Sequence, residues 1–418
     1  MRRNKTIIHI EELPAKVKKG ALFSIDSNNI NSFTHGIHKY PAKFIPQIPR
    51  WGIQKFTQPE DMILDPFCGC GTTLVESLLL ERNAYGLEIS PLAKLITKVK
   101  ITKINPAALE KEHFRLTNKI KKNEWDSSYW KPILEPNLSK WFKQKTIKEL
   151  SILKKNIEEI KNKNIKDFYT TIFSSIIRRV SNAENQSQKV YISSRFPKDY
   201  IDPVELFLKT AKKEKDGLIQ FSNAISDKNF AKIVKTDALK INLENNSVDL
   251  AITSPPYINA INYIRVQRLE YAWLNRFKPG ELKKLEANQM GSEKITAGVW
   301  KQNLETGIKS VDRIAQKIKE KSKKHSYIFS KFYMDLEKNL KEVYRVLKKD
   351  KRYCVVIGNN VIKGVFIPND FLIKDTAEKV GFKFENAFSY VIKNRLLRIP
   401  RQGRGGNINI DNIIILRK

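Results

Sequence analysis

Residues 62–90 read MILDPFCGCGTTLVESLLLERNAYGLEIS. Met62 to Leu64 form a short apolar run closing on Asp65, DPFCGCGTT is a glycine-bearing turn, and LVESLLLERN carries apolar residues at helical spacing. AYGLEIS repeats the short strand pattern with Glu88 at its end, and PLAKLITKVK follows as a helix opened by Pro91. This is the start of a βαβ unit. Gly69 and Gly71 remove side chains where the chain turns from strand to helix, so backbone N–H groups can approach a ligand. The turn is neither G-x-G-x-x-G nor a P-loop, because Thr72 and Thr73 follow Gly71 directly and no Lys stands at a phosphate-binding position. Glu88 lies seventeen residues beyond Gly71, where a carboxylate can accept hydrogen bonds from ribose hydroxyls. A nucleoside without a pyrophosphate fits both features. The alternative is that the glycines only turn the chain and Glu88 is a solvated strand-end residue.

Beyond this unit, residues 101 to about 231 change to long, Lys-rich helical periodicity, as in KWFKQKTIKELSILKKNIEEIKNKNIK (140–166) and FYTTIFSSIIRRVSNA (168–183). Strand patterning resumes with AKIVKTDA (231–238) and VDLAITSPPY (248–257), and returns in RYCVVIGN (352–359), FENAFSYVIKNR (384–395) and NIIILRK (412–418). KFYMDLEKNLKEVYRVLK (331–348) reads as a helix. Strands alternating with helices imply an α/β domain with a largely parallel sheet that binds ligands at the carboxyl ends of its strands. The expected organisation is one α/β domain from residues 1–100, 231–257 and 331–418, interrupted by a helical insertion at 101–230 and a second insertion at 258–330.

The chain has 418 residues, 41% of them hydrophobic and 10% aromatic, enough for a sizeable core and unlike a disordered or fibrous protein. Seventy-seven Lys and Arg against 44 Asp and Glu give a net charge of +33, the direction expected of a polyanion-binding surface or of a lysine-rich compositional bias. The three cysteines, Cys68, Cys70 and Cys354, make no C-x-x-C pair, which supports neither a disulfide framework nor a thiolate zinc site. The basic N-terminus lacks a signal-peptide apolar run, and no uninterrupted apolar stretch is long enough to span a bilayer. A cytoplasmic protein without membrane association is expected.

TSPPY (253–257) ends a strand pattern. Consecutive prolines preset the backbone and lack N–H groups, leaving carbonyls free to accept hydrogen bonds. Ser254 adds a hydroxyl and Tyr257 an aromatic face, a combination suited to an exocyclic amino group on a planar base that has left the helical stack. The alternative is a Pro-Pro turn with Tyr257 as ordinary core.

Taken together, DPFCGCGTT and TSPPY resemble the motifs of the DNA amino-methyltransferases, which use S-adenosylmethionine to methylate the N4 amine of cytosine or the N6 amine of adenine. The resemblance implies a Rossmann-like methyltransferase fold with a mostly parallel sheet, plus a mainly helical insertion. It implies that Asp65, Pro66, Phe67, Gly69, Gly71, Thr72 and Thr73 line the cofactor and that Glu88, with Ile89, holds its ribose. Asp237, with Ala238, would sit near the adenine amine. HKYPAKF (38–44) is similar to the family's N-terminal cofactor element, which makes Tyr40 and Lys43 candidates near the methionine carboxylate. Cys70 departs mildly from the usual small residue such as Ser. Ser254, Pro255, Pro256 and Tyr257 match the catalytic motif, and Ser254 looks like the cytosine-N4 version, whereas Asp or Asn there usually marks adenine. Residues 259–274, 345–359 and 394–401 are also similar, so recognisable blocks cover about half the chain. The insertion lies between Glu88 and Asp237, not just before the catalytic motif or at the C-terminus.

The implied reaction is methyl transfer to cytosine N4 in double-stranded DNA by base flipping, of restriction–modification type, with a cognate restriction endonuclease acting on the same site. Cytosine C5 chemistry needs a cysteine after a proline, and none of the three cysteines follows one. Residues 140–166 hold nine Lys against three Glu, with Trp141 and Phe142 among them, and RIAQKIKEKSKKH (313–325) is likewise basic; both are candidates to hold DNA phosphates or simply solvated faces. Arg404 in RQGRGG is a further phosphate candidate. His35 and His38 read as structural rather than as metal ligands, and no metal is expected. Adenine-N6 methylation, RNA amino-methylation and a catalytically silent nucleic-acid-binding subunit remain the alternatives.

Overall fold

Apolar residues alternate between two faces along each strand, the period-two pattern of a sheet covered on both sides. Ile63, Leu250, Ile252, Cys354, Val356, Ile413 and Ile415 pack on one face with Ile48, Trp51 and Ile53. Leu64, Ala251, Tyr353, Val355, Ile357, Ile414 and Leu416 pack on the other with Phe329, Phe332, Leu336 and Leu340. The computed structural model describes residues 6–26, 30–43, 45–122, 137–185, 190–195, 197–235, 237–258, 262–275, 280–293, 295, 298–302, 304–393 and 408–418. Arg404 and the stretch 394–401 lie outside the described residues.

The strands are β1 (Ile7–Ile10), β2 (Leu22–Ile25), β3 (Met62–Asp65), β4 (Asn83–Gly86), β5 (Ala231–Ile233), β6 (Val248–Thr253), β7 (Leu347–Gly358), β8 (Asn360–Ile362), β9 (Val365–Ile367), β10 (Lys383–Val391) and β11 (Ile410–Arg417). Nine of them form one sheet in the order β1-β2-β10-β11-β7-β6-β3-β4-β5, and β8 pairs with β9 as a separate hairpin. Every neighbouring pair in the large sheet is parallel except the two that β11 makes, with β10 and with β7. From β3 the chain proceeds outward to β4 and β5, then returns to place β6 on β3's other side. Strand order therefore reverses between β3 and β6, and their carboxyl ends frame the crevice where open α/β sheets bind ligands. This is the expected α/β, Rossmann-like methyltransferase fold. β1 and β2, at the sheet's edge, have no counterpart in the expected pattern.

Helices Thr72–Leu79 and Pro91–Ile101 follow β3 and β4, and the helices from Pro106 to Ala224 come before β5. The last group starts at sequence-encoded caps: Asn105, Asn162 and Asp202 each accept first-turn N–H groups, with Pro106 and Pro203 at the opening positions. Its apolar faces form one cluster with Val75, Leu78, Leu95 and Val99, so these helices share a core with the pair that flanks the cofactor-type loop. Trp141 and Phe142, whose position among lysines suggested a nucleic-acid face, are instead buried in this cluster. Phe142 and Phe173 meet Trp273 edge-on at centroid distances of 5.7 and 6.0 Å, and the Arg268 guanidinium lies 4.4 Å over Trp141. No helix among the described residues is long and apolar enough to cross a membrane.

Trp273 joins the helix Arg268–Leu274, which follows the Pro-Pro-Tyr segment, to the inserted helices. Trp273→Ala is expected to cost about 3–5 kcal/mol of unfolding free energy, measured as a lower midpoint in urea denaturation.

Candidate active site

The site is built at the ends of β3, β4 and β6. Asp65 closes β3 and is 1% exposed. Its Oδ1 accepts from the Thr253 hydroxyl at 2.5 Å and from the Phe67 N–H at 3.1 Å, and its Oδ2 accepts from the Thr73 hydroxyl at 2.6 Å. Burial raises this carboxyl to about 6 against the opposing pull of those three donors. One carboxylate thus ties the glycine loop, the first turn of its helix and the strand leading into Ser254. Pro66, Thr72 and Thr73 are buried beside it, and the Phe67 ring packs half-buried against the same apolar cluster as Tyr257.

The loop's two glycines have positive φ, +51° at Gly69 and +81° at Gly71, a backbone region costly for other residues. A Cβ on Gly71 would also stand 2.7 Å from Thr97 Cγ2, while the Thr97 hydroxyl donates to the Gly69 carbonyl at 2.9 Å. A Cβ on Gly69 would lie 3.5 Å from the Tyr40 ring, so the missing side chain keeps open the space between loop and ring. Tyr40 is buried and stacks on Tyr263 at 5.6 Å and 15°. Lys43 is half-buried and donates to the His35 carbonyl at 2.8 Å; burial and nearby Lys100 lower its ammonium to about 8.

Glu88 stands two residues beyond β4, which ends at Gly86. It is half-buried, accepts from the Ser90 N–H at 2.6 Å, and is raised to about 7 by burial despite backbone hydrogen bonds. Ile89 is half-buried next to it. The Ser90 side chain caps the following helix and pairs with the Tyr271 hydroxyl at 2.8 Å, linking the Glu88 turn to the helix after the Pro-Pro-Tyr segment.

Ser254, Pro256 and Tyr257 are half-buried and Pro255 is buried, directly after β6. The Tyr257 hydroxyl donates to Asp411 Oδ1 at 2.7 Å. Asp65, Phe67, Thr73, Gly69, Tyr40 and Glu88 therefore surround one loop, with the Pro-Pro-Tyr segment joined to it through Thr253. Asp237 and Ala238 are not hydrogen-bonded to that loop: Asp237 is exposed and caps its own turn through the Leu239 N–H, and the carbonyl of buried Ala238 accepts from Asn339. His35 pairs with Glu76 at 2.8 Å and His38 with Ser174 at 3.0 Å; burial holds His38 down to about 3, a neutral ring at neutral pH. Sequence reasoning missed Thr253, Thr97, Tyr263, Tyr271 and Asp411. Thr253 sits inside the quoted motif, whereas the others have no local signal and are brought in by packing.

A family description of DNA methylases matches residues 4–99 and 248–414 of this chain. Type II methyltransferase M.MvaI of Kocuria varians is 28% identical over 409 residues, covering 91% of this chain and 88% of its own length. Type II methyltransferase M.BsoBI of Geobacillus stearothermophilus is 24% identical over 434 residues, covering 91% and 84%. Type II methyltransferase M.MjaII of Methanocaldococcus jannaschii is 37% identical over 131 residues, covering 30% of this chain and 24% of its own length.

Glu88 is an acid raised to about 7, so its carboxylate form, the better acceptor of hydroxyl hydrogen bonds, is populated above that pH and lost below it. Affinity for S-adenosylmethionine is expected to fall as pH drops through about 7, by at most about tenfold per unit. Glu88→Gln should flatten the profile. Calorimetric titration of the cofactor across this range checks both.

Proposed function

The chain belongs to the DNA methylase family and is a DNA methyltransferase that uses S-adenosylmethionine, and we propose that its target is the N4 amine of cytosine in double-stranded DNA. The carrying observation is Ser254 directly before Pro255, Pro256 and Tyr257, at the end of the strand that Asp65 fastens to the glycine loop. The residues present fit the cofactor: Glu88 offers a half-buried carboxylate, and Gly69 leaves open the space under Tyr40. When bound, S-adenosylmethionine supplies an electrophilic methyl group on a sulfonium.

An aromatic amine is a poor nucleophile because its lone pair is conjugated with the ring. In this reading the Ser254 hydroxyl oxygen and the Pro255 carbonyl accept its two N–H bonds, favouring a more pyramidal nitrogen with its lone pair turned towards the glycine loop. Positioning then lowers the barrier without a covalent enzyme intermediate. Tyr257 supplies an aromatic face for a base flipped out of the duplex. Asp65, Pro66, Phe67, Gly69, Gly71, Thr72 and Thr73 shape the cofactor cleft, Glu88 and Ile89 its ribose end, Tyr40 and Lys43 its methionine end, and Asp237 and Ala238 its adenine end.

Catalysis is assigned to the parts contributed by residues 1–100, 231–257 and 331–418, and DNA recognition to the insertions. The inserted helices pair several of their lysines internally, in Lys154–Glu158, Lys163–Asp167 and Lys166–Glu158 bridges. The region around 309–324 also exposes a dense group of cations, Lys309, Arg313, Lys317, Lys321, Lys323 and Lys324. Beside them a cleft of about 150 Å³ is lined by Trp300, Lys301, Lys319, Lys323 and Tyr327. The β8–β9 hairpin brings exposed Lys363 to the same neighbourhood, and buried Asn360 at its base donates to the Ile258 carbonyl at 3.0 Å, one residue past Tyr257. A basic surface tied to the catalytic segment in this way suits phosphates flanking a flipped base, and we assign the main DNA contact to it. The type II relatives support a restriction–modification setting with a companion endonuclease at the same sequence.

Incubation with S-adenosylmethionine and mixed-sequence duplex DNA, nucleoside digestion and mass spectrometry should reveal N4-methylcytosine. N6-methyladenine would replace the base assignment, and unmethylated DNA with the cofactor still bound would overturn the substrate. Combined Lys321→Glu, Lys323→Glu and Lys324→Glu should lower DNA affinity and reduce the salt slope by about 1 for each phosphate no longer neutralised, with cofactor binding unchanged. An unchanged slope would remove this surface from the footprint.

A further inference from the structure

Asp411 stands near the start of β11, opposite Gly358 of β7 on one side and Tyr390 of β10 on the other. Its side chain is buried, 7% exposed, and each oxygen accepts one phenol: Oδ1 from Tyr257 at 2.7 Å and Oδ2 from Tyr390 at 2.8 Å. The residue opposite is a glycine, where a Cβ would stand 3.1 Å from Asp411 Oδ1 and 2.2 Å from Ile408 Cγ2. Gly358 therefore leaves the room that the carboxylate occupies.

A buried carboxylate is costly unless its oxygens are satisfied, so this arrangement is more than incidental packing. A tyrosine ring has two free torsions, and fixing its far oxygen to a buried acceptor restricts both. Tyr390 holds the acceptor from the opposite side, so the acceptor cannot swing with the ring it restrains. The proposed methyl-transfer steps leave Asp411 unused.

We propose that Asp411 is a positioning residue that pins the Tyr257 hydroxyl, setting the ring plane before the base arrives. The inference rests on the reading of Tyr257 as the face that receives the target base. It places the determinant of base-platform geometry on β11, 154 residues along the chain from the motif it serves. Preorganisation of this kind raises the rate of the chemical step with little effect on the cofactor.

The test is a double-mutant cycle read by single-turnover methylation of duplex DNA at saturating radiolabelled S-adenosylmethionine. Asp411→Leu is close in size and accepts no hydrogen bond; it should lower the rate about tenfold with cofactor affinity unchanged. Asp411→Asn, which keeps one acceptor oxygen, should recover part of the loss. In a Tyr257→Phe background, Asp411→Leu should change the rate by less than about twofold. The same factor in both backgrounds would reduce Asp411 to a structural role and overturn the proposal. Should Asp411→Leu not fold, Tyr257→Phe removes the same bond from the half-buried side, and an unaltered rate in that variant would also overturn it. Tyr257→Ala tests the underlying reading separately: full activity there removes Tyr257 as the base platform, whereas abolished activity with an unaffected Asp411→Leu removes only the pinning role.

Discussion

The bond on which the site depends is the one between the Asp65 carboxylate and the Thr253 hydroxyl. β3 and β6 lie side by side with Leu64 paired to Ala251, but a sheet register alone does not fix the loops that leave its edge. Asp65 does so by accepting from three segments at once: its own turn at Phe67, the following helix at Thr73, and the strand leading into Ser254 at Thr253. The cost is visible in the carboxyl's rise to about 6, since burial outweighs even three donors. A hydrophobic residue could fill the volume at lower desolvation cost, yet it would leave the Thr73 and Thr253 hydroxyls unpaired and the two loops free to shift. For a reaction in which an amine must meet a methyl group in line, sub-ångström placement of those loops is the property that justifies burying the charge.

The parts legible in the sequence are those whose signal is local. MILD, the glycine loop, VDLAIT before SPPY and the apolar runs at 353–357 and 413–416 each carry their own period and punctuation. The structure returns them as neighbouring strands of one sheet. β1 and β2 were not legible because four-residue strands such as IIHI and LFSI have too little pattern of their own; they become strands by pairing with each other and, through β2, with β10. AYGLEI reads as continuously extended with Glu88 at its end, whereas pairing stops at Gly86.

Long-range partners were out of reach for a different reason. Nothing near Asp411 marks it as a partner of Tyr257, and nothing in the helix Pro91–Ile101 marks Thr97 as the residue beneath Gly71. Lysine-rich sequence around Trp141 and Phe142 suggested a nucleic-acid face, but amphipathic helices carry lysines on one side and bury aromatics on the other. Here the aromatics went inward to Trp273 and Arg268. Composition could therefore report the +33 charge without reporting which of its lysines are already paired.

How the inserted helices attach bears on what they do for the site. Their core is continuous with the two helices behind the glycine loop, and polar contacts follow the same seam: Ser174 meets His38, two residues before Tyr40, and Asp167 meets Lys98, the neighbour of Thr97. Thr97 in turn has little freedom of its own, since it donates to Gly69 and fills the space under Gly71. Displacement of the helix Lys163–Val180 would thus act on both sides of the loop, through the segment carrying Tyr40 and through the helix carrying Thr97. An appendage used only to grip DNA would need neither contact. The inserted helices therefore buttress the glycine loop from both sides, and their buried face is extensive because it completes the core behind that loop.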